Sequence, residues 1–366
     1  MSQAVLSPLP HPVSAAEVLP DVPVFHQKTS REDIAQSVYF NPLENNSEKI
    51  VKQWLGTIIK PEKNQWTELN HAHWKKGGVL VVPPHTDLGV ITLTHTPQAK
   101  TSVFLPRLLV VVQQGGKLVL LDEYSGEHSP DYAVPVIEIA ALENSEIHYI
   151  HLQKWNYQTQ HYVYSRIHLQ KNAFATATTC ILGGGKTNAQ IEVSLQGEGS
   201  RANLFGVVYG TKEQNIEHFT LQEHLAPHTE SDLLIKTALR DKAQSYFNGL
   251  IWIEKGASKT SAYQQNRNLL LSSAAKAETT PKLEILDNDV RCTHGASVGP
   301  VDEEQIFYLE SRGIPRNEAE ALIVEGFFQD LLDRIPAQTL KEDLSQEILA
   351  ALAGTAENSK ETHERP

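Results

Sequence analysis

The sequence predicts a mainly β protein: a solenoid of short parallel strands, with a short helical segment before it and a helical lobe after it. Three observations carry this. Between about Val79 and Val290, apolar or alternating runs rich in Val, Ile, Thr and Tyr recur at strand length, separated by Gly, Asn, Pro and Ser and spaced about a dozen residues apart. No long helical pattern interrupts them, which argues against a βαβ sheet. After Gly299 the apolar period changes to that of helices. So many strands leave a large sandwich, a barrel or a solenoid. The even spacing, and Asn-rich corners such as Asn266 and Asn268, favour a parallel β-helix over a sandwich.

The elements follow in order. Residues 1–30 are rich in Pro, Ser and Val without a period and read as a flexible lead-in. Residues 31–75 form an N-terminal helical segment. Its helix spans about Ser47–Ile59, with Ile50, Val51, Trp54, Leu55 and Ile58 on one face and Pro61 as a stop. Residues 76–300 form the β core, in runs from Val79–Val82 and Leu88–Leu93 to Tyr246–Ile253 and Tyr263–Leu271. Residues 301–354 form the helical lobe. Asp302 with Gln305 is a capping pattern, and Gly313 and Pro315 end that helix near Arg312. A second helix starts near Asn317, carries the stripe Ala319, Leu322, Ile323, Phe327 and Leu331, and stops at Pro336. A third is capped by Thr339 with Glu342, lined by Leu340, Leu344 and Ile348, and ends at Gly354. The polar residues 355–366 read as a disordered tail.

Composition narrows the function classes. The 366 residues carry a formal charge of −12, with pI about 5.7 and mean hydropathy −0.33. An acidic chain is a poor partner for nucleic acid or anionic membrane, and no apolar run approaches the ~20 residues of a membrane span. No Lys or Arg precedes Lys28, and Pro8, Pro10 and Pro12 interrupt the start, so it reads as neither a secretory signal nor a transit peptide. Two cysteines, Cys180 and Cys292, exclude a disulfide framework and fit a reducing, cytoplasmic setting.

Three motifs invite chemistry. Gly183-Gly184-Gly185-Lys186-Thr187 resembles the end of a phosphate-binding loop. However, Cys180 stands where that loop needs its first glycine, and strand-like runs flank both sides, so a turn between strands is the better account. The sets His148, His151, His161, His168 and His218, His224, His228 are read as surface histidines of a solenoid. In Cys292-Thr293-His294, alternation puts thiol and imidazole on one face of an extended segment, a pair able to hold a soft metal if a second chain completes the site. The alternative is a buried Cys and a hydrogen-bonded His.

Several ordered blocks carry a family resemblance: Pro227-His228-Thr229 with Ser231-Asp232-Leu233-Leu234, Phe247-Asn248-Gly249-Leu250-Ile251, and Gln264 to Ser272. The densest runs from Asp289 through Cys292-Thr293-His294-Gly295-Ala296 to Gly299, followed by Gln305-Ile306-Phe307-Tyr308-Leu309 and Ser311-Arg312-Gly313-Ile314. Together, over roughly Asn70 to Ile335, they resemble the SufB/SufD family of iron–sulfur cluster assembly proteins. The SufD branch is favoured because Gln264–Leu271 holds no cysteine and Gly295, not Glu, follows His294. The chain departs from that pattern at the front, where about one good helix precedes the β region.

The resemblance implies a right-handed parallel β-helix and a non-catalytic scaffold subunit. It implies a heterodimer with a SufB-like subunit through the end of the β-helix, with strand pairing continued across late strands up to Val290. A homodimer is an alternative state for the chain alone, whose isolated oligomeric state the resemblance leaves open. It implies a SufC-like ABC-type ATPase docked on the helical lobe, for which Arg312, Gly313, Ile314, Phe327 and Phe328 are the candidates. Two cysteines cannot supply the four thiolates of a usual cluster. The expected cargo is therefore a transient iron–sulfur cluster at the SufB interface, met by His294 and Cys292, with no cofactor held stably by this chain alone. The competing classes are a β-helix polysaccharide lyase or hydrolase of exported type and a passive structural solenoid.

Overall fold

The computed structural model describes residues 18–19, 24–28, 39–42, 49–74, 77–97, 101–335 and 338–361. Two sheets lie face to face, and the chain alternates between them. One sheet contains β4 (Gly78–Val82), β7 (Arg107–Val112), β10 (Val136–Ala141), β12 (Gln160–Leu169), β14 (Lys186–Leu195), β16 (Asn215–His224), β18 (Gln244–Ile253) and β20 (Lys276–Ile285). The other contains β5 (Asp87–His95), β8 (Lys117–Tyr124), β11 (Glu146–Gln153), β13 (Phe174–Ile181), β15 (Arg201–Gly210), β17 (Glu230–Leu239), β19 (Ser261–Leu270) and β21 (Arg291–Pro300). Each strand pairs in parallel with the strand one turn on, giving a β-solenoid of about eight turns. Short strands β1 (Val18–Leu19), β6 (Val103–Phe104) and β9 (Tyr132–Ala133) extend the first sheet sideways.

Constant register stacks like positions into columns. One inward column runs Ile91, Leu120, Tyr149, Ala177, Leu204, Leu233, Gln264, His294. Its first six members belong to the main apolar core. The corners are equally regular. His85, Gly115, Asn144, Asn172 and Gly199 hold positive φ at successive turns, a conformation that Gly and Asn tolerate best. Asn172 Nδ2 donates to Asn144 Oδ1 at 3.1 Å, a rung of the corner ladder.

Helices cover the outer faces. On the first sheet, α1 (Lys49–Trp54) and the segment after it pack Val51, Ile58 and Ile59 on Val79, Val81, Leu109 and Val136. A second helix, α2 (Gln65–His73), is capped by Asn64 and stacks Trp66 on Tyr162 at 3.8 Å. Buried Glu138 pins this segment: it accepts from the Gly56 and Ile59 amides at 2.9 and 3.1 Å and from Arg107 Nη2 at 2.7 Å. On the second sheet lie α4 (Arg316–Leu332) and α5 (Gln338–Glu361), preceded by α3 (Glu303–Ser311). Val324, Phe328, Leu331, Leu340, Leu344 and Ile348 form one core with Leu121, Ile150, Leu152, Cys180, Phe205 and Leu234.

Several expectations change. The C-terminal helices share a core with the solenoid instead of forming a separate lobe, because their apolar stripe matches an equally apolar outer sheet face. Within the expected lead-in, β2 (Val24–Lys28) pairs antiparallel with β5, and within the segment expected to be helical, β3 (Tyr39–Pro42) pairs antiparallel with β4. Residues 1–17 lie outside the described residues. Helix α1 is shorter than expected, ending before Gly56 at φ 73°, and α2 was not anticipated. Strands β20 and β21 were not among the expected runs, although they fall within the expected core 76–300, and Val290 sits between them rather than on the last strand. Helix α5 passes Gly354 to Glu361, so 355–361 are helical where a tail was expected, and 362–366 lie outside the described residues.

Candidate functional site

The last turn of the solenoid is uncovered. Strands β20 and β21 end their sheets with no further strand beyond them among the described residues. The register fixes which side chains of β21 face inward: Cys292 over Ala262, His294 over Gln264, Ala296 over Asn266 and Val298 over Asn268. Cys292 and His294 therefore share the inner face at the open end, two residues apart. Cys292 is half-buried against Ile251, Ile253, Ala257 and Ala262, and burial pushes its thiol up. His294 is exposed.

The floor beneath them changes character. One turn earlier these positions hold Leu233, Ile235 and Thr237; β19 places Gln264, Asn266 and Asn268 over them, all buried. Asn268 Nδ2 donates to Asn266 Oδ1 at 2.7 Å and to the Ser297 carbonyl at 3.1 Å, tying the two final strands together. The rim is apolar: Leu286 is 52% exposed, Val298 44% and Ile285 39%. Two ten-residue strand edges, an apolar rim and a thiol–imidazole pair form a surface that another chain's strands could continue.

Of the histidines expected at the surface, His228 is exposed and His148 and His168 are half-buried, but four are not at the surface. His151, His161, His218 and His224 are buried inside the solenoid. His151 and His161 face each other through their Nε2 atoms at 3.0 Å, and Trp155 Nε1 donates to His161 Nδ1 at 3.1 Å. Asp122 accepts from Tyr149 at 2.8 Å and Tyr124 at 3.0 Å, and lies 2.7 Å from His95 Nε2. Burial works against the Asp122 charge, but His95 and His151 outweigh it and hold its carboxyl well below the usual range. Burial lowers His161 far below the ordinary imidazole value and takes His218 and His224 to about 4. Partners explain why His151, His161 and His224 survive inside, whereas both ring nitrogens of His218 are buried without a hydrogen bond and the ring packs against Phe247. No group of three or more candidate ligands stands ready for a metal among the described residues. The Gly183–Gly185 segment is a turn between β13 and β14, and a Cβ on Gly183 would lie 2.2 Å from the Trp155 carbonyl oxygen.

The docking candidates separate. Arg312 is exposed at the end of α3 and lies over the Tyr308 ring, 5.1 Å from its centroid. Gly313 takes φ 86° and Ile314 packs partly beneath α3 and α4. Phe327 is half-buried under Lys236 Nζ. Phe328 is wholly buried in the core that α4 shares with the second sheet, so it is not available to another chain. The exposed apolar side chains here are Phe307 (72%), Tyr308 and Leu322. Sequence reading placed the first two on the right helix but missed their exposure.

A solenoid of this kind, ending in a bare turn that carries Cys-x-His, has a counterpart among known sequences. Residues 94–327 match the family described as SUF system FeS cluster assembly, SufBD core domain. The chain belongs to this SufB/SufD family, in its SufD branch. It is 34% identical over 220 residues to the iron–sulfur cluster assembly protein SufD of Escherichia coli, covering 60% of this chain and 52% of that protein. The chain thus spans about half the length of that relative. It is 28% identical over 328 residues to SufD of Bacillus subtilis, covering 87% and 75%. A SufBD family protein of Synechocystis is 27% identical over 294 residues, covering 77% and 65%. No helix among the described residues is long and apolar enough to cross a membrane.

Proposed function

We propose that this chain is a non-catalytic scaffold subunit of a cytoplasmic iron–sulfur cluster assembly complex. Its solenoid is continued at the open end by a SufB-like subunit, and α3 with α4 holds a SufC-like ATPase. The observation that carries the reading is the uncapped last turn with Cys292 and His294 on its inner face. Unpaired parallel edges attract another chain's strands, and neutral imidazole beside a thiol suits iron and sulfide. The cluster is cargo. This chain offers His294, with Cys292 beside it, and the partner supplies the remaining ligands, since two cysteines fall short of four. The exposed surface of Phe307, Tyr308, Arg312 and Leu322 is the ATPase dock, supported by its position beside the open end. The isolated chain forms a homodimer through the same edges.

Co-expression with SufB-like and SufC-like subunits, followed by size and iron analysis, tests this. The expected result is a stable complex whose His294→Ala variant still assembles and hydrolyses ATP but holds little iron and sulfide. Parental iron loading in that variant rejects His294 as a ligand. An isolated homodimer that the SufB-like subunit cannot displace rejects the shared edge.

A further inference from the structure

In the inward column that ends at His294, the members from Ile91 to Leu233 are aliphatic except for Tyr149. Tyr149 has its own partner in Asp122. An amide enters the column once, at Gln264, directly beneath His294. Gln264 is completely buried. Its Nε2 donates across the interior to the Gly249 carbonyl at 3.3 Å. Gly249 makes the slot for it: a Cβ there would lie 2.4 Å from that nitrogen. The amide is thereby oriented, and its Oε1 is left buried with no partner. A buried acceptor without a donor is a cost that folded chains avoid, and the side chain stacked over it in register has a ring N–H to give.

We propose that Gln264 is a positioning residue for His294: its Oε1 accepts one ring N–H, fixes the imidazole tautomer, and turns the other nitrogen toward the space beyond the last turn. A neutral imidazole has one donor and one acceptor nitrogen, so the hydrogen bond at one decides which lone pair is offered at the other. Outer partners of this kind orient a metal-binding imidazole and raise its basicity. The inference rests on the reading that His294 meets incoming iron, and it adds the residue that aims the ring.

The test is nitrogen-15 NMR of the imidazole rings in the full chain, at a pH where they are neutral, with the His294 signals assigned by their loss in His294→Ala. One dominant His294 tautomer is expected in the parent and in Gln264→Glu, which keeps an acceptor. A mixed population is expected in Gln264→Met, which keeps the length and loses the acceptor. Gln264→Asn, which withdraws the oxygen by one methylene, gives the same outcome if Gln264→Met does not fold. In the complex, Gln264→Met should assemble normally and retain roughly tenfold less iron, with Gln264→Glu restoring most of it. A mixed tautomer in the parent, or a single tautomer unchanged in the acceptor-free variant, overturns the proposal. Normal iron loading in His294→Ala would sink the ligand reading yet leave the tautomer result standing, so the two failures are distinguishable.

Discussion

The two ends of the solenoid solve the same problem in opposite ways. At the first turn, β2 and β3 run antiparallel against β5 and β4 and satisfy the strand edges from within the chain. Glu138 then ties the helices over that end into the sheet. At the last turn, no strand among the described residues pairs with the outer edges of β20 and β21 or covers the inward side chains of β21. The histidines divide in the same way: those deep inside are buried and mostly partnered, while His294 is exposed. One end is thus closed from within the chain, and the other is the end at which the proposed partner would join.

The largest expected effect separates the inner histidines from the terminal one. His218 and His224 titrate near 4 in the fold and near ~6.5 when unfolded. Their folded values are depressed, so their contribution is complete above about 6.5 and is lost as pH falls toward 4, at about 1.4 kcal/mol per pH unit for each group. Urea unfolding between pH 7 and 4.5 should show this slope, and His218→Leu should flatten it by about one proton. No flattening would mean that His218 is already protonated in the fold.

Breaking the closed end comes next. Glu138→Ala leaves Arg107 buried without its carboxylate and should cost about 3–5 kcal/mol in denaturant unfolding. A smaller loss would show that the helices over the first sheet are held by packing alone.

Two substitutions on the C-terminal helices then sharpen what is core and what is surface. Phe328→Ala should cost about 3–5 kcal/mol of stability. Phe307→Asp should leave unfolding within about 0.5 kcal/mol while weakening ATPase binding by about 2 kcal/mol. The smallest effect on stability belongs to the open end. Val298→Lys should leave the isolated chain within about 0.5 kcal/mol of the parent but reduce pairing with a SufB-like subunit, measured by titration calorimetry. Undiminished pairing would place the junction elsewhere.

The same contrast explains what could be read from the sequence. The strands from Val79 to Leu271 were legible because one face of each packs inside, which writes a regular alternation. Strand β20 was missed although Lys276, Glu278, Lys282 and Glu284 alternate with Ala277, Leu283 and Ile285, because Pro281 sits inside the run, and β21 carries little alternation because its inner face is only partly buried. Helix α2 was missed because Asn70 and Thr67 fill buried positions where apolar residues would have given a stripe. The inner histidines were misplaced because hydrophobic periodicity does not show which polar rings find partners inside, as His161 does in Trp155 and His224 does in Thr229 and Ser231. Cys292 and His294 could be put on one face by alternation alone. Gln264 could not be singled out, because its relation to His294 exists only through the register of the last two turns.

The path of helix α5 bears on how the chain is made. Leu340, Leu344 and Ile348 cover Leu121, Ile150 and Leu152, so the outer face of the early turns is finished by residues that leave the ribosome only after every strand of the solenoid has been made. Until then a nascent chain carries a sheet whose inner face is packed and whose outer face is a bare apolar strip, a state open to aggregation and suited to chaperones. A chain truncated before Leu340 should therefore keep its strands yet precipitate during translation, although its missing segment lies far from every early strand in sequence.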